Sequence, residues 1–171
     1  MSAEPAPQEL FDVETYRRFI GQINLRDIWL ATVKIDNRLG PSTPDQTNVL
    51  IDDKPSWEEI PGGFRASVRY RVRFRRGSQI LATIEATYAA DFASAMPMSD
   101  ELFDVFAANN LPLNTWPYLR AFVSDALGRM GWLPFSLPAF KINVMESVDT
   151  PPTRSRSRRK TGKLVDDDVP F

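Results

Sequence analysis

The sequence predicts an α+β protein with a two-faced β-hairpin, a long amphipathic helix and a disordered arm. Three observations carry that expectation. From Phe64 to Arg76 apolar side chains alternate with arginines, and a tight turn leads into a second alternating segment, so the pair reads as a β-hairpin with one dry and one wet face. Between Leu119 and Met130 the apolar residues return at helical spacing. Beyond Asp149 the periodicity ends and Pro, Ser, Arg and Lys take over.

Length and composition frame these elements. A chain of 171 residues, 43% hydrophobic and 11% aromatic, is expected to build one core with tails. We divide it into a disordered start at 1–8, a folded domain at 9–148 and a disordered arm at 149–171. Cys and His are both absent, which excludes disulfides, thiolate chemistry, imidazole acid–base work and nearly every zinc or copper site. No phosphate loop, dinucleotide fingerprint or nucleophile elbow occurs. The expectation is therefore a protein that is not an enzyme, with no catalytic residues, no metal and no cofactor. There is no apolar run of about 20 residues, and the opening MSAEPAPQEL lacks the basic start and apolar stretch of a secretory signal. A cytoplasmic protein without a membrane partner is expected.

In chain order, Leu10, Val13, Tyr16, Phe19 and Ile20 form a helical stripe. Ile23, Leu25, Trp29, Val33 and Ile35 alternate with polar residues and predict a strand. The Pro- and Gly-rich stretch 38–62 reads as loop, with Thr47 to Ile51 as a short edge strand. In it, Asp52-Asp53 and Glu58-Glu59 read as solvated turns. In the hairpin, Val68, Tyr70, Val72 and Phe74 face the core, answered on the return strand by Ile80, Ala82, Ile84, Ala86 and Tyr88. Ser99 is an N-cap candidate for a short helix carrying Leu102, Phe103 and Phe106. Pro117 suits the first turn of the longer helix, and Gly131 suits its stop.

Charge is distributed unevenly. The net charge is −1, yet residues 151–171 hold six basic and three acidic groups, leaving a body of 15 basic and 19 acidic residues at −4. Any nucleic-acid role must come from local patches. One patch is the row Arg65, Arg69, Arg71, Arg73 and Arg75. Alternate strand residues lie about 6.8 Å apart, close to the phosphate repeat of an extended single strand, so the row can track a nucleic-acid backbone. Equally, arginines on a wet strand face guard against aggregation and pair with cross-strand acids. Tyr70 and Phe74 point to the core, so no aromatic ladder accompanies the row, though Trp29 and Trp57 are available. A second basic element is Arg154, Arg156, Arg158, Arg159 and Lys160, suited to salt-sensitive phosphate contacts or to solubilising a linker. A third signal is apolar: Phe106, Leu111, Trp132, Leu133, Phe135, Leu137 and Phe140 read as core and oligomer interface, or as a groove for unfolded chains.

The chain closes on Val165 and then Asp166, Asp167, Asp168, Val169, Pro170 and Phe171. An aromatic ring for an apolar pocket, carboxylates for a basic rim and a proline that limits backbone freedom make a small docking ligand. This tip resembles the acidic C-terminal tip of bacterial single-stranded DNA-binding proteins (SSB), which implies replication and repair enzymes as partners. The body resembles another family. Trp116-Pro117-Tyr118-Leu119-Arg120, then Arg129-Met130-Gly131-Trp132-Leu133-Pro134, together with Ile23-Asn24-Leu25-Arg26-Asp27-Ile28 and Glu85 on the third strand, resemble the helix, its Pro-rich sequel and the sheet of SecB export chaperones. The resemblance spans residues 20–142. It implies a SecB-like antiparallel four-stranded sheet backed by a long helix, a dimer or tetramer, and apolar grooves for unfolded polypeptide. Arginines stand where the family would present an acidic face, and the second helix expected after the apolar segment is short or absent.

Three functions follow as expectations. The first is a non-catalytic single-stranded DNA-binding protein on a SecB-like fold, of phage or mobile-element type, whose tip recruits host SSB-interacting enzymes. The second is a SecB-like chaperone holding unfolded polypeptides. The third is an SSB-tip mimic that captures host repair enzymes.

Overall fold

The strict alternation of residues 64–76 gives the sheet its two faces and is the natural origin for the architecture. The computed structural model describes residues 13–133 and 135–140. Its elements are α1 (Val13–Ile20), β1 (Asn24–Asn37), β2 (Asn48–Ile60), β3 (Gly63–Arg76), β4 (Gln79–Ala93), α2 (Asp100–Asn109) and α3 (Leu111–Arg129). The strands form one antiparallel sheet in the order β1-β4-β3-β2. Among the described residues, helices pack on one face only. Phe64, Val68, Tyr70, Val72 and Phe74 of β3 and Ala82, Ile84, Ala86, Tyr88 and Phe92 of β4 are buried beneath them. Phe106 of α2 seats edge-on against Phe64 and Phe92, at 5.5 and 5.2 Å between ring centroids, and Phe19 of α1 closes the same cluster. The α+β class, the four-stranded antiparallel sheet and the long helix stand as expected.

Local chemistry sets the boundaries. Ser99 Oγ accepts the Leu102 amide at 3.2 Å and caps α2, as its sequence position predicts. Gly131 adopts φ +80°, and its amide and that of Trp132 close back on the carbonyls of Gly128 and Leu127 at 3.1 and 3.0 Å. That is the Schellman stop, which needs a residue free of Cβ strain. At the other end of the sheet, a Cβ on Gly63 would stand 1.8 Å from the Phe92 carbonyl oxygen, so only glycine fits there.

Several expectations are corrected. The segment read as a loop with a short edge strand is the 13-residue strand β2, and Asp52-Asp53 and Glu58-Glu59 lie on it rather than in turns. Pro55 is tolerated because β2 is an edge strand, one side of which needs no ladder bonds. Glu85 therefore sits on the fourth strand, not the third. Register shifts at Leu25/Asp27 and Leu30/Thr32 break the phase of β1, so Trp29 faces away from Leu25, Val33 and Ile35. A further shift at Phe74/Arg75 turns Ile80 toward the arginines and buries Leu81 in its place. Finally, α3 begins at Leu111 with Pro112 in its first turn, and Pro117 lies inside the helix. There its missing N–H leaves the Leu113 carbonyl without an intrahelical donor. The start of the first helix at Leu10, the residues beyond 140 and the expected disordered ends lie outside the described residues.

Candidate functional site

Two surfaces compete as functional sites, one on each face of the sheet. The first is built where the β1–β2 crossover meets the end of α3. Thr43, Pro44 and Thr47 of the crossover, Val49 of β2, Phe74 of β3, Leu127 of α3, and Trp132, Leu133 and Phe135 line a cavity of about 210 Å³. The stop at Gly131 throws the chain back across the sheet, where hydrogen bonds fix it. Trp132 Nε1 donates to the Gly40 carbonyl at 2.8 Å, and the Leu133 amide donates to Thr43 Oγ1 at 2.7 Å. Further along, Arg120 Nε donates to the Leu137 carbonyl at 2.7 Å and Trp116 Nε1 to the Pro138 carbonyl at 2.8 Å. Phe74 forms the floor, with Trp132 and Phe135 edge-on to it at 5.7 and 6.3 Å.

This cavity is incompletely covered. Leu133 is 70% exposed and Phe135 41%. Thr47 Oγ1 is buried without a hydrogen-bond partner among the described residues. An apolar floor, two uncovered apolar rims and one unanswered hydroxyl suit an extended chain that brings apolar side chains and a backbone dipole. Of the seven apolar residues singled out in the sequence, Phe106, Leu111 and Leu137 are buried core, Trp132 is buried in the cavity wall, and Phe140 packs on Trp116. Only Leu133 and Phe135 are left facing the opening.

The second surface is the helix-free face. The structure places Arg65, Arg69, Arg71, Arg73 and Arg75 there in one row, as predicted, but most are already engaged. Arg65 holds Asp91 through Nε at 2.7 Å and Nη2 at 3.0 Å, and reaches Glu58 at 3.1 Å. The Asp91 hydrogen bonds, and then the Asp91 and Glu58 charges, raise its pKa further. Arg71 pairs with Glu85 at 2.8 Å and Arg73 with Asp52. Arg75 makes no ion pair among the described residues, and its Nε is buried without a partner. Trp29 does reach this face, where the Arg65 guanidinium covers its ring at 5.0 Å. Trp57 does not: it lies on the helix side against Phe103 and donates to Asp100. Arg154, Arg156, Arg158, Arg159, Lys160 and the tip residues Asp166 to Phe171 lie outside the described residues.

Sequence reasoning missed Thr47, Val49 and Leu127 as cavity residues and Lys54 on the arginine face. A crossover rich in Thr and Pro, followed at once by the apolar triplet Val49-Leu50-Ile51, was the available signal.

No family model matches the chain, and no curated protein does. Among solved structures it is similar to the Mycobacterium tuberculosis SecB-like chaperone Rv1957 in complex with a ChAD peptide from the Rv1956 HigA1 antitoxin. The likeness has a TM-score of 0.66 at 21% identity and covers 75% of this chain and 97% of that one. The fold of this chain is SecB-like.

Proposed function

We propose that the protein is a non-catalytic holder of extended polypeptide segments, acting through the cavity between the β1–β2 crossover and the segment after α3. The observation that carries the reading is the cavity's unfinished lining: Leu133 and Phe135 uncovered above a Phe74 floor, beside the unpartnered Thr47 hydroxyl. Its volume of about 210 Å³ is below the roughly 300–1,000 Å³ of sites for drug-sized ligands. It matches one or two apolar side chains presented by a strand. The solved relative's antitoxin peptide supports a peptide ligand for this fold.

Self-association belongs to the same reading. Leu25, Leu30, Val33 and Ile35 lie on the helix side of the edge strand β1, each 39–49% exposed. A second copy would cover them, giving a homo-oligomer. The single-stranded DNA reading draws on the arginine row, but Asp91, Glu58, Glu85 and Asp52 already occupy Arg65, Arg71 and Arg73. We place it second, and leave recruitment of SSB-interacting enzymes by the tip as a separate proposal.

The test is suppression of aggregation of a chemically unfolded client. The intact protein is expected to suppress it at molar excess, and the double variant Leu133→Ser/Phe135→Ser is expected to lose most of that activity while remaining folded. Absence of suppression by the intact protein would refute the proposal.

A further inference from the structure

On the arginine face the strand register sorts the side chains into rows that cross the sheet. One row is Asp52, Arg71, Glu85 and Lys34, which is neutral. Another is Glu58, Arg65, Asp91 and Asp27, which is acid-rich. Between them lie two rows without any acid. Lys54 stands directly opposite Arg69, which stands opposite Thr87, and the next row is Ser56, Ser67 and Ala89. Lys54, Ser56, Ser67, Arg69 and Thr87 line a shallow depression.

Directly opposed like charges destabilise an antiparallel pair. On the same face of β3, Arg65, Arg71 and Arg73 are each answered by a carboxylate. The side chains of Lys54 and Arg69 make no hydrogen bond or ion pair among the described residues. Among the described residues, the other side chains of the depression are three hydroxyls, which can donate to the same ligand. We infer that this depression is an oxyanion-recognition site for a carboxylate of an acidic polypeptide segment, separate from the apolar cavity on the opposite face.

The choice of a peptide over a nucleic acid follows from the flanking rows. A phosphodiester chain carries a charge at every nucleotide, so a strand laid along β3 would pass Asp52 and Glu85 on one side and Glu58 and Asp91 on the other. A polypeptide can place one or two carboxylates over Lys54 and Arg69 and pass the acid-bearing rows with neutral residues. The site therefore selects isolated negative charge rather than continuous charge.

The experiment uses the full chain and three fluorescent probes at 50 mM salt: a peptide with a central Asp-Gly-Asp in a neutral Gly/Ser frame, its Asn-Gly-Asn counterpart, and a (dT) oligonucleotide. The acidic peptide should bind, and the Asn counterpart should bind at least about tenfold more weakly. Lys54→Gln/Arg69→Gln should weaken the acidic peptide by a similar factor, whereas Arg18→Gln, which removes an exposed cation of α1, should not. The Tm of the double variant should be unchanged or higher, because a repulsion has been removed. Leu133→Ser/Phe135→Ser should leave acidic-peptide binding intact, which separates this site from the polypeptide cavity. No acidic-peptide binding, equal binding of the Asn peptide, or binding retained in Lys54→Gln/Arg69→Gln would overturn the assignment. Tighter binding of (dT) than of the acidic peptide, lost in the same double variant, would overturn it in favour of a phosphodiester ligand.

Discussion

The two faces of one sheet, built from alternate residues of the same strands, treat their unmet groups in opposite ways. On the helix side, packing is dense along β3 and β4 and then stops short, leaving Leu133 and Phe135 uncovered beside Phe74. On the far side, charge is abundant and mostly consumed internally, with Arg65, Arg71 and Arg73 each held by a carboxylate. Abundance is thus a poor guide to function, and what each face leaves unanswered is the better one. The apolar face leaves two rims and a hydroxyl, and the charged face leaves Lys54 and Arg69, with Arg75 at its far end.

The sharpest way to break this comparison is to attack the part of the helix side that is complete. Phe106 is fully buried and touches the rings of Phe19, Phe64 and Phe92. Phe106→Ala should cost about 3–5 kcal/mol in denaturant unfolding. That is several times any single arginine substitution on the other face. A cost below about 1 kcal/mol would mean that the aromatic cluster is not the centre of the fold.

Next in size is Tyr70, whose hydroxyl meets Thr115 Oγ1 at 2.7 Å beneath α3. Tyr70→Phe should cost about 0.5–1.5 kcal/mol at neutral pH, since Thr115 keeps its bond to the Leu111 carbonyl. Burial raises the Tyr70 pKa from 10 to about 12, as it does for Tyr16 and Tyr88. The folded state thus holds the phenol proton more tightly than the unfolded chain. That stabilisation is complete below about pH 10 and is lost as pH rises through 12. Denaturant midpoints should fall steeply between pH 10 and 12, and less steeply in Tyr70→Phe.

How much of this was legible depended on whether a residue's partner lay nearby in sequence. The β3–β4 hairpin, the α3 stripe, the Ser99 cap and the Gly131 stop are local patterns and could be read directly. Strand β2 could not, because its middle, residues 52–56, is exposed on both faces, so alternation fades into Asp52-Asp53-Lys54-Pro55 and resembles a loop. Bulges in β1 and at Leu81 shift the phase in ways that no fixed period of two detects. The arginine row was visible, but its pairing was not: Glu85 lies 14 residues from Arg71 and Asp91 lies 26 from Arg65. The same holds for the cavity. Trp132, Leu133 and Phe135 announced themselves, while the floor comes from β3 and the Thr47 hydroxyl from the crossover before β2, which only the sheet order brings beneath them.

A smaller effect probes what the helix side leaves open. Thr47→Val replaces a buried, unpartnered hydroxyl with a methyl group. Stability should rise by about 1 kcal/mol, because a desolvated polar group is removed. Peptide or client affinity should fall, because the hydroxyl is lost to the bound backbone. A gain in stability with unchanged affinity would assign Thr47 to the fold alone and leave the cavity purely apolar.

The smallest expected effect tests the far side. Arg71 and Glu85 face each other across β3 and β4 with a 2.8 Å contact, and both side chains are partly exposed. Solvent screens such a pair, so a double-mutant cycle with Arg71→Gln and Glu85→Gln should give a coupling of about 0.2–1 kcal/mol, shrinking as salt is raised. The sign matters more than the size. A favourable coupling means that Arg71 is spent on the sheet and is a poor candidate for an outside anion, which concentrates recognition on Lys54 and Arg69. A coupling of zero, with acidic-peptide binding weakened by Arg71→Gln, would instead make Arg71 part of the binding surface and extend the site across a further row.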